Sequence, residues 1–446
     1  MSFVTVNPIN GDIIQVHHYQ HFEDAKLSLQ SMSIEQKKWA NRSIYERAEQ
    51  LKKISKLLLD SSYELASQMS LETGKIISEA QAEIEKSAFA FDFFSKNYLA
   101  EFEKKMIPTN YQFSYTQLNS LGVVFAIMPW NYPVWQLTRV LAPALLLGNA
   151  VLVKPAEITV GTNQMLISLL DQVLSEKVVQ QLMIDHETIA QIISQREISA
   201  VTLTGSSVAG KKVAKICGEH LKKCVLELGG SDAYIVMEDA DLELSVRECI
   251  QARLVNYGQS CIAGKRFFIS QNNFTKFKDQ ILERLSVLPD RVLAHKKFQS
   301  QIQDQVEKLI HVGGRVLKGG VLPSGAGAQY PITLIEFDRY HSSIAQEEIF
   351  GPVFCLIPFD QEDQVFSMVN DCPFGLGAVI FTQRVGEAQK WAKEKLEVGM
   401  VGINEQIKSD PRLPFGGVKD SGFGRELSHF GLYEFANIQT VIGRET

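Results

Sequence analysis

Residues 1–20 alternate apolar and polar side chains around the turn Asn10-Gly11, the two-residue period of a hairpin. From Glu23 to Phe102 the spacing becomes helical, as in Leu51, Ile54, Leu57 and Leu58, then Leu65 and Met69. Alternation returns over 111–118, where Phe113 and Tyr115 interleave with Gln112 and Ser114, and predicts an exposed hairpin arm. Short apolar runs and helical stretches then take turns. Residues 122–128 read as a strand, 134–147 as a helix and 150–153 as a strand. A helix over 162–174 precedes a strand over 200–203, and a helix from Ala209 leads to a strand over 224–228. Such alternation predicts a parallel sheet with right-handed crossovers, an open α/β fold. A second α/β set runs from Ala233 to about Asn404, with buried-strand candidates at 266–269, 353–358 and 378–382. The Gly-rich tail from Gly416 ends in a strand-like stretch over 438–443.

Composition narrows the class. The chain has 446 residues, 45% apolar and 22% charged, which excludes disorder, collagen and coiled coil. Lys+Arg 45 against Asp+Glu 51 leaves −6, with no basic block, so neither a nucleic-acid nor a membrane partner is expected. The six Cys, at 217, 224, 249, 261, 355 and 372, form no CxxC pair and no zinc spacing, and no metal site is expected. They read as reduced thiols of a cytoplasmic protein. The first residues have no basic stretch followed by an apolar one, and the apolar run 134–153 is interrupted by Gln136, Arg139, Pro143 and Asn149. His17, His18 and His21 have no carboxylate or Cys at ligand spacing and read as surface residues.

The candidate chemistry begins at Cys261, in a loop with Gly258, Gln259, Ser260 and Gly264 that lets backbone approach a ligand. A lone Cys is more often a small buried hydrophobe. A thiol nucleophile needs a base or polarising donors, and candidates for each lie elsewhere. Glu227 is an acid in an apolar strand end running into Gly229-Gly230. Desolvation there raises its pKa toward the range of a general base, the alternative being an ion pair with Lys222 or Lys223. Asn131, between Pro129 and Pro133, can hold an oxyanion or simply cap the following helix. Lys154 and Glu157 follow one strand, and Thr204, Gly205 and Ser206 follow another, at the strand ends where α/β folds bind ligands. No GxGxxG occurs.

Together PWNYP (129–133), KPAE (154–157), TGS (204–206), LELGG (226–230), GQSC (258–261), EEIFGPV (347–353) and PFGGVKDSGFGRE (414–426) resemble the aldehyde dehydrogenase superfamily, in its order and across nearly the whole chain. The resemblance implies two Rossmann-type open parallel α/β domains plus a small β oligomerisation arm. A NAD(P)-binding domain would take 1–110 and 123–230, a catalytic domain 231–410 and the arm 111–122 and 421–446. It further implies that Cys261 attacks an aldehyde carbonyl, that Asn131 and the Cys261 N–H hold the oxyanion, and that hydride passes to the nicotinamide. Glu227 then activates water to hydrolyse the thioester. Cofactor contacts would come from Ile127, Met128, Pro129, Trp130, Lys154, Ala156, Glu157, Thr204, Gly205, Ser206, Leu228, Glu348 and Phe350. Members that transfer the acyl group to coenzyme A typically lack the LELGG glutamate, so hydrolysis is favoured here. Glu157 can accept from both ribose hydroxyls and would repel a 2′-phosphate, which favours NAD with NADP possible. A homodimer or homotetramer is implied.

Within the superfamily, KSDPRLPFGGVKDSGFGRELSHFG and AIMPWNYPVWQ resemble the short bacterial succinate-semialdehyde dehydrogenases. A distal carboxylate calls for a cation, and Arg139 matches the arginine those enzymes use, the alternative being a helix-surface ion pair. Ser409 and Arg412 fall in the substrate-entrance loop. A second arginine of better-known relatives is replaced by Val255, and segments 183–193 and 285–305 are shortened on the cofactor side. A dehydrogenase for neutral aldehydes, an inactive homologue and a thiol hydrolase are the other readings.

Overall fold

The computed structural model describes residues 2–445. Two parallel sheets with separate apolar cores carry the architecture. The first sheet is ordered Gly422–Phe423, Lys223–Glu227, Ile198–Thr204, Val123–Ile127, Ala150–Lys154, Val179–Gln181. Only the two-residue edge Gly422–Phe423 runs antiparallel. The second is ordered Arg315–Lys318, Thr333–Glu336, Val353–Phe359, Arg266–Ser270, Ala233–Val236, Gly377–Phe381, Met400–Ile403, parallel apart from its first strand. Their central strands are buried on both faces, so they read as unbroken apolar runs and not as alternating ones.

The helix Pro133–Leu147 shows how sequence builds the site's frame. Pro133 occupies its first turn, where a missing N–H is harmless, and Gly148 closes it at φ +92°. Every residue of this helix is buried, polar ones included. Arg139 therefore faces no solvent and must find a partner inside the protein.

The N-terminal hairpin forms as expected, Ser2–Val6 against Ile13–His18. His17 does not lie on the surface: it is buried, stacked on Phe3 at 5.1 Å, with Nε2 3.3 Å from Thr5 Oγ1. Phe113–Ser120 also differs from a purely local hairpin. It pairs with Lys105–Met106 on one edge and, over its full length, with Ala436–Gly443 from the far end of the chain. Local alternation reveals a strand but not its partner. Among the described residues no helix is long and apolar enough to cross a membrane.

Candidate active site

Cys261 is held by a backbone that few sequences tolerate. The helix Leu242–Leu254 ends in a turn where Asn256, Tyr257 and Gly258 adopt φ of +47°, +54° and +79°. The two non-glycine residues lie in a disfavoured region, so surrounding contacts must hold them there. Tyr257 donates to Tyr330 O at 2.7 Å, and Asn256 Nδ2 donates to Asn131 O at 2.9 Å. A Cβ at Gly258 would lie 2.4 Å from the Gly351 carbonyl, which only glycine avoids. Lys265 Nζ donates to the carbonyls of Ser260 and Cys261, at 2.9 and 2.6 Å. Burial pushes the Cys261 thiol up to about 12; Arg139 and Lys265 pull it down, and Glu348 and Glu227 push it up further.

Asn131 is not a helix cap. The first amides of Pro133–Leu147, from Val134 and Trp135, donate to Glu83 Oε1 at 3.0 Å each. Glu83 is paired with Lys75 at 2.5 Å, both fully buried, and Lys75 Nζ also donates to Asn131 O at 2.9 Å. Asn131 Nδ2 donates to Gln259 O at 3.0 Å, which aims the amide at the residues just before Cys261. Sequence reasoning missed Lys75 and Glu83. A signal existed in the helical spacing of Glu79, Glu83 and Lys86, which puts all three on one face of Ile77–Asn97.

Glu227 closes the strand Lys223–Glu227 with its side chain buried. The two lysines that could have neutralised it are engaged elsewhere, Lys222 on Gln195 O and Ile198 O, and Lys223 on Glu434. Glu227 Oε1 has no hydrogen-bond partner among the described residues. Burial first, then the neighbouring Glu426 carboxylate, hold Glu227 well above the usual carboxylate range, with Arg139 and Arg425 opposing. Gly416, at φ +154°, lets backbone pass against this carboxylate; a Cβ there would be 2.6 Å from Oε1.

Arg139 is the counter-ion of Glu426. Its Nε lies 2.6 Å from Glu426 Oε2, both side chains being 2% exposed. Its guanidinium sits 4.5 Å from the Phe415 ring centre. Neither Nε nor Nη2, nor either Glu426 oxygen, makes a hydrogen bond among the described residues, so the two side chains meet as a close charge pair. The ion pair is thus deep in the protein and not on a helix surface.

Two cavities meet at Cys261. One, of about 490 Å³, is lined by Pro129, Trp130 and Asn131, by Thr204, Gly205 and Ser206, and by Leu228, Glu348 and Phe350. Ser206 caps the helix Ser207–Glu219, whose free amides suit a phosphate. Thr204 Oγ1 is buried there without a hydrogen-bond partner among the described residues. Glu348 accepts from Gly230 N at 3.1 Å, and a Cβ at Gly229 would come within 2.5 Å of its carboxylate. Phe298, outside every motif and so missed, stacks on Trp130 at 4.7 Å. The other cavity, of about 550 Å³, is lined by Arg139 and Ser409 among the expected residues, and by Lys86, Trp135, Val255 and Phe415. Arg412 is not on its wall: it is 62% exposed and bound to Asp410 at 2.8 Å.

Ile127, Met128, Lys154, Ala156 and Glu157 lie beyond the first cavity, at the ends of the strands Val123–Ile127 and Ala150–Lys154. Met128 N donates to Lys154 O at 3.0 Å, which ties the two strand ends together. Glu157 Oε1 accepts from Tyr19 of the N-terminal hairpin at 2.5 Å, a contact absent from the motifs. The shortened segment 183–193 forms the helix His186–Ile193, capped by Asp185, whose charge reaches both Lys154 and Tyr19. The carboxylate beside a buried lysine, the orphaned Thr204 hydroxyl and the free helix amides fit a dinucleotide.

The aldehyde dehydrogenase family model matches residues 1–441. The chain belongs to the aldehyde dehydrogenase family. It is an NAD(P)-dependent aldehyde dehydrogenase with that family's α/β fold. Succinate semialdehyde dehydrogenase [NAD(P)+] Sad of Escherichia coli (strain K12) is 38% identical over 98% of this chain and 97% of its own. Succinate-semialdehyde dehydrogenase [NADP(+)] of Deinococcus radiodurans is 34% identical over 98% of this chain and 94% of its own. Among solved structures, succinic semialdehyde dehydrogenase from Streptococcus pyogenes, in complex with NADP+, superposes with a TM-score of 0.94. It is 29% identical, over 98% of this chain and 99% of that one.

Proposed function

We propose that this dehydrogenase oxidises succinate semialdehyde, or a short aldehyde with a distal carboxylate, to the free acid. The observation that carries the proposal is the position of Cys261 where the cleft lined by Trp130, Ser206 and Glu348 meets a cavity walled by Arg139, Lys86 and Ser409. Relatives whose printed names specify that substrate support it.

Trp130, the 204–206 turn, Leu228, Glu348 and Phe350 would hold the nicotinamide half of the cofactor, and Lys154 with Glu157 the adenosine ribose. NAD(P), when bound, supplies the acceptor for the aldehyde hydride. The chain's residues do the rest. Cys261 Sγ, its proton lost to water in the cleft, bonds to the carbonyl carbon as the carbonyl π pair moves onto oxygen, with Arg139 and Lys265 favouring the thiolate against its burial. Asn131 Nδ2 and the Cys261 N–H donate to the carbonyl oxygen as it gains charge. Glu227, in its ionised form, takes a proton from the water that attacks the Cys261 thioester. The acid departs and the thiol re-forms. Glu157 favours NAD, because its carboxylate repels a 2′-phosphate.

We assign 1–110 and 123–230 to cofactor binding and 231–410 to catalysis. The sheet of Phe113–Ser120 and Ala436–Gly443 is the arm that pairs subunits into a dimer or tetramer, with Ile438 and Ile442 about half exposed on it. The enzyme is assigned to the cytoplasm. Purified protein given succinate semialdehyde and either NAD or NADP should generate the reduced-nicotinamide absorbance, and Cys261→Ala should abolish it. No reduction with either cofactor would sink the proposal.

A further inference from the structure

Three segments far apart in sequence meet around one buried ammonium. Lys265 Nζ donates to Ser260 O at 2.9 Å and to Cys261 O at 2.6 Å, and lies 3.3 Å from Glu348 Oε1. Each of its three N–H groups thus has an oxygen within reach. The Lys265 side chain is 2% exposed, against 19% for Glu348, which faces the cofactor-side cavity. Glu348 Oε1 also accepts from Gly230 N at 3.1 Å, and Gly230 packs on the Cys261 carbonyl, where a Cβ would lie 2.6 Å from the oxygen. The contacts close a ring, from Gly230 to Glu348, to Lys265, to Cys261 O and back to Gly230.

A second buried cation joins two of the same segments. Arg253 donates through Nη1 to Gly264 O, in the Cys261 loop, at 3.2 Å, and through Nη2 to Ile349 O, beside Glu348, at 2.9 Å. Neither Lys265 nor Arg253 is on the wall of either cavity. A buried charge is costly unless it is hydrogen-bonded, and both of these are spent on main-chain carbonyls, whose positions they fix.

We infer that Lys265 is a positioning residue for hydride transfer: it fixes the Cys261 main chain against Glu348, so that the carbon carried on Sγ meets the nicotinamide in register. This rests on the proposed roles of Cys261 and Glu348. Lys265 touches neither substrate nor cofactor and acts through those two residues. The carbon on Sγ parts with its hydride as an oxygen lone pair re-forms the carbonyl of the thioester, a step whose rate falls steeply with misplacement. The ammonium also acts on the thiol itself. Burial raises the Cys261 pKa, Arg139 and then Lys265 oppose it, and Glu348 and Glu227 add to it.

Two measurements on the complete enzyme test this. One is alkylation of Cys261 by iodoacetamide across pH without cofactor, with Cys261→Ala as the blank. The other is single-turnover reduction of NAD by succinate semialdehyde carrying hydrogen or deuterium at the aldehyde carbon. Lys265→Met should move the alkylation midpoint to higher pH. It should also slow hydride transfer by on the order of 10²-fold, with a fuller isotope effect and a change in KM for the aldehyde below about threefold. Lys265→Gln keeps donors without the charge, so it should move the midpoint and recover part of the hydride rate. Lys265→Arg should restore the midpoint. Burial raises Asp232 to about 7, Lys265 is the leading charge against it, and its Oδ2 has no hydrogen-bond partner among the described residues. Each variant is therefore also made with Asp232→Asn, which removes the carboxylate that loss of Lys265 would leave uncompensated. A parent enzyme whose Cys261 is alkylated but which reduces neither NAD nor NADP would overturn the roles given to Cys261 and Glu348. A Lys265→Met enzyme with the parental midpoint and hydride rate would overturn the Lys265 assignment alone. So would a slower rate with neither midpoint nor isotope effect changed, the pattern of a general loosening.

Discussion

Replacing Arg139 by Leu isolates what the buried Arg139–Glu426 pair does. The substitution leaves Glu426 buried and uncompensated, beside a second buried carboxylate, Glu227. Breaking such a pair from one side costs about 3–5 kcal/mol, whereas replacing both partners by apolar residues is often nearly neutral. For a unit of roughly 250 residues the single change should lower the melting temperature by on the order of 10 °C. Arg139→Leu combined with Glu426→Leu should recover most of it, giving a large coupling energy in the double-mutant cycle. Catalysis supplies an independent sign. Glu227 acts only when ionised, and Arg139 is among the groups that hold its raised pKa down. Arg139→Leu should therefore move the acid limb of the hydrolytic rate to higher pH. Glu426→Gln removes a charge that raises Glu227, so its limb should move to lower pH. Calorimetry and pH–rate profiles on semialdehyde and neutral aldehyde check both arms. A loss under about 1 kcal/mol for Arg139→Leu, or limbs that shift in the same direction, would refute the reasoning.

Glu227→Gln should leave thiol attack intact and remove the water-activating base. Reduced cofactor would appear as a rapid burst of about one equivalent per subunit and then slow some 10²- to 10⁴-fold, the usual worth of a positioned base; stopped-flow absorbance reads it, and steady turnover at the parent rate would count against Glu227. Glu157→Gln removes the negative charge facing the ribose and, with Tyr19 still donating to that side chain, should raise the kcat/KM ratio for NADP over NAD by at least about tenfold, since like-charge contacts cost several kcal/mol. An unchanged ratio would place cofactor choice elsewhere.

What the sequence revealed and what it withheld divide along a physical line. Cys261, Asn131, Glu227 and the 204–206 turn stand in short segments whose glycines and prolines advertise an unusual backbone. Gly258 must lie against the Gly351 carbonyl, and Pro133 must start a helix, so those positions carry a local signature. The parallel sheets were legible for a similar reason: strands buried on both faces read as continuous apolar runs. What was not legible is the pairing of charged and polar side chains. Arg139 with Glu426, Lys86 with Ser409 and Tyr19 with Glu157 join segments that only the fold brings together, while Lys75 and Glu83, eight residues apart, read as ordinary surface charges.

That distinction also explains why Arg139 was easy to find and hard to interpret. An arginine in a helix otherwise rich in Leu, Val and Ala announces itself, but its role depends on which acceptor the fold supplies. Here the acceptor is Glu426. Paired in charge with Glu426, Arg139 also acts on Glu227 and Cys261, being the leading charge that opposes the burial of that thiol. What a buried charge does here is thus set by the partners the fold supplies, a property of the assembled network that no segment of the chain carries by itself.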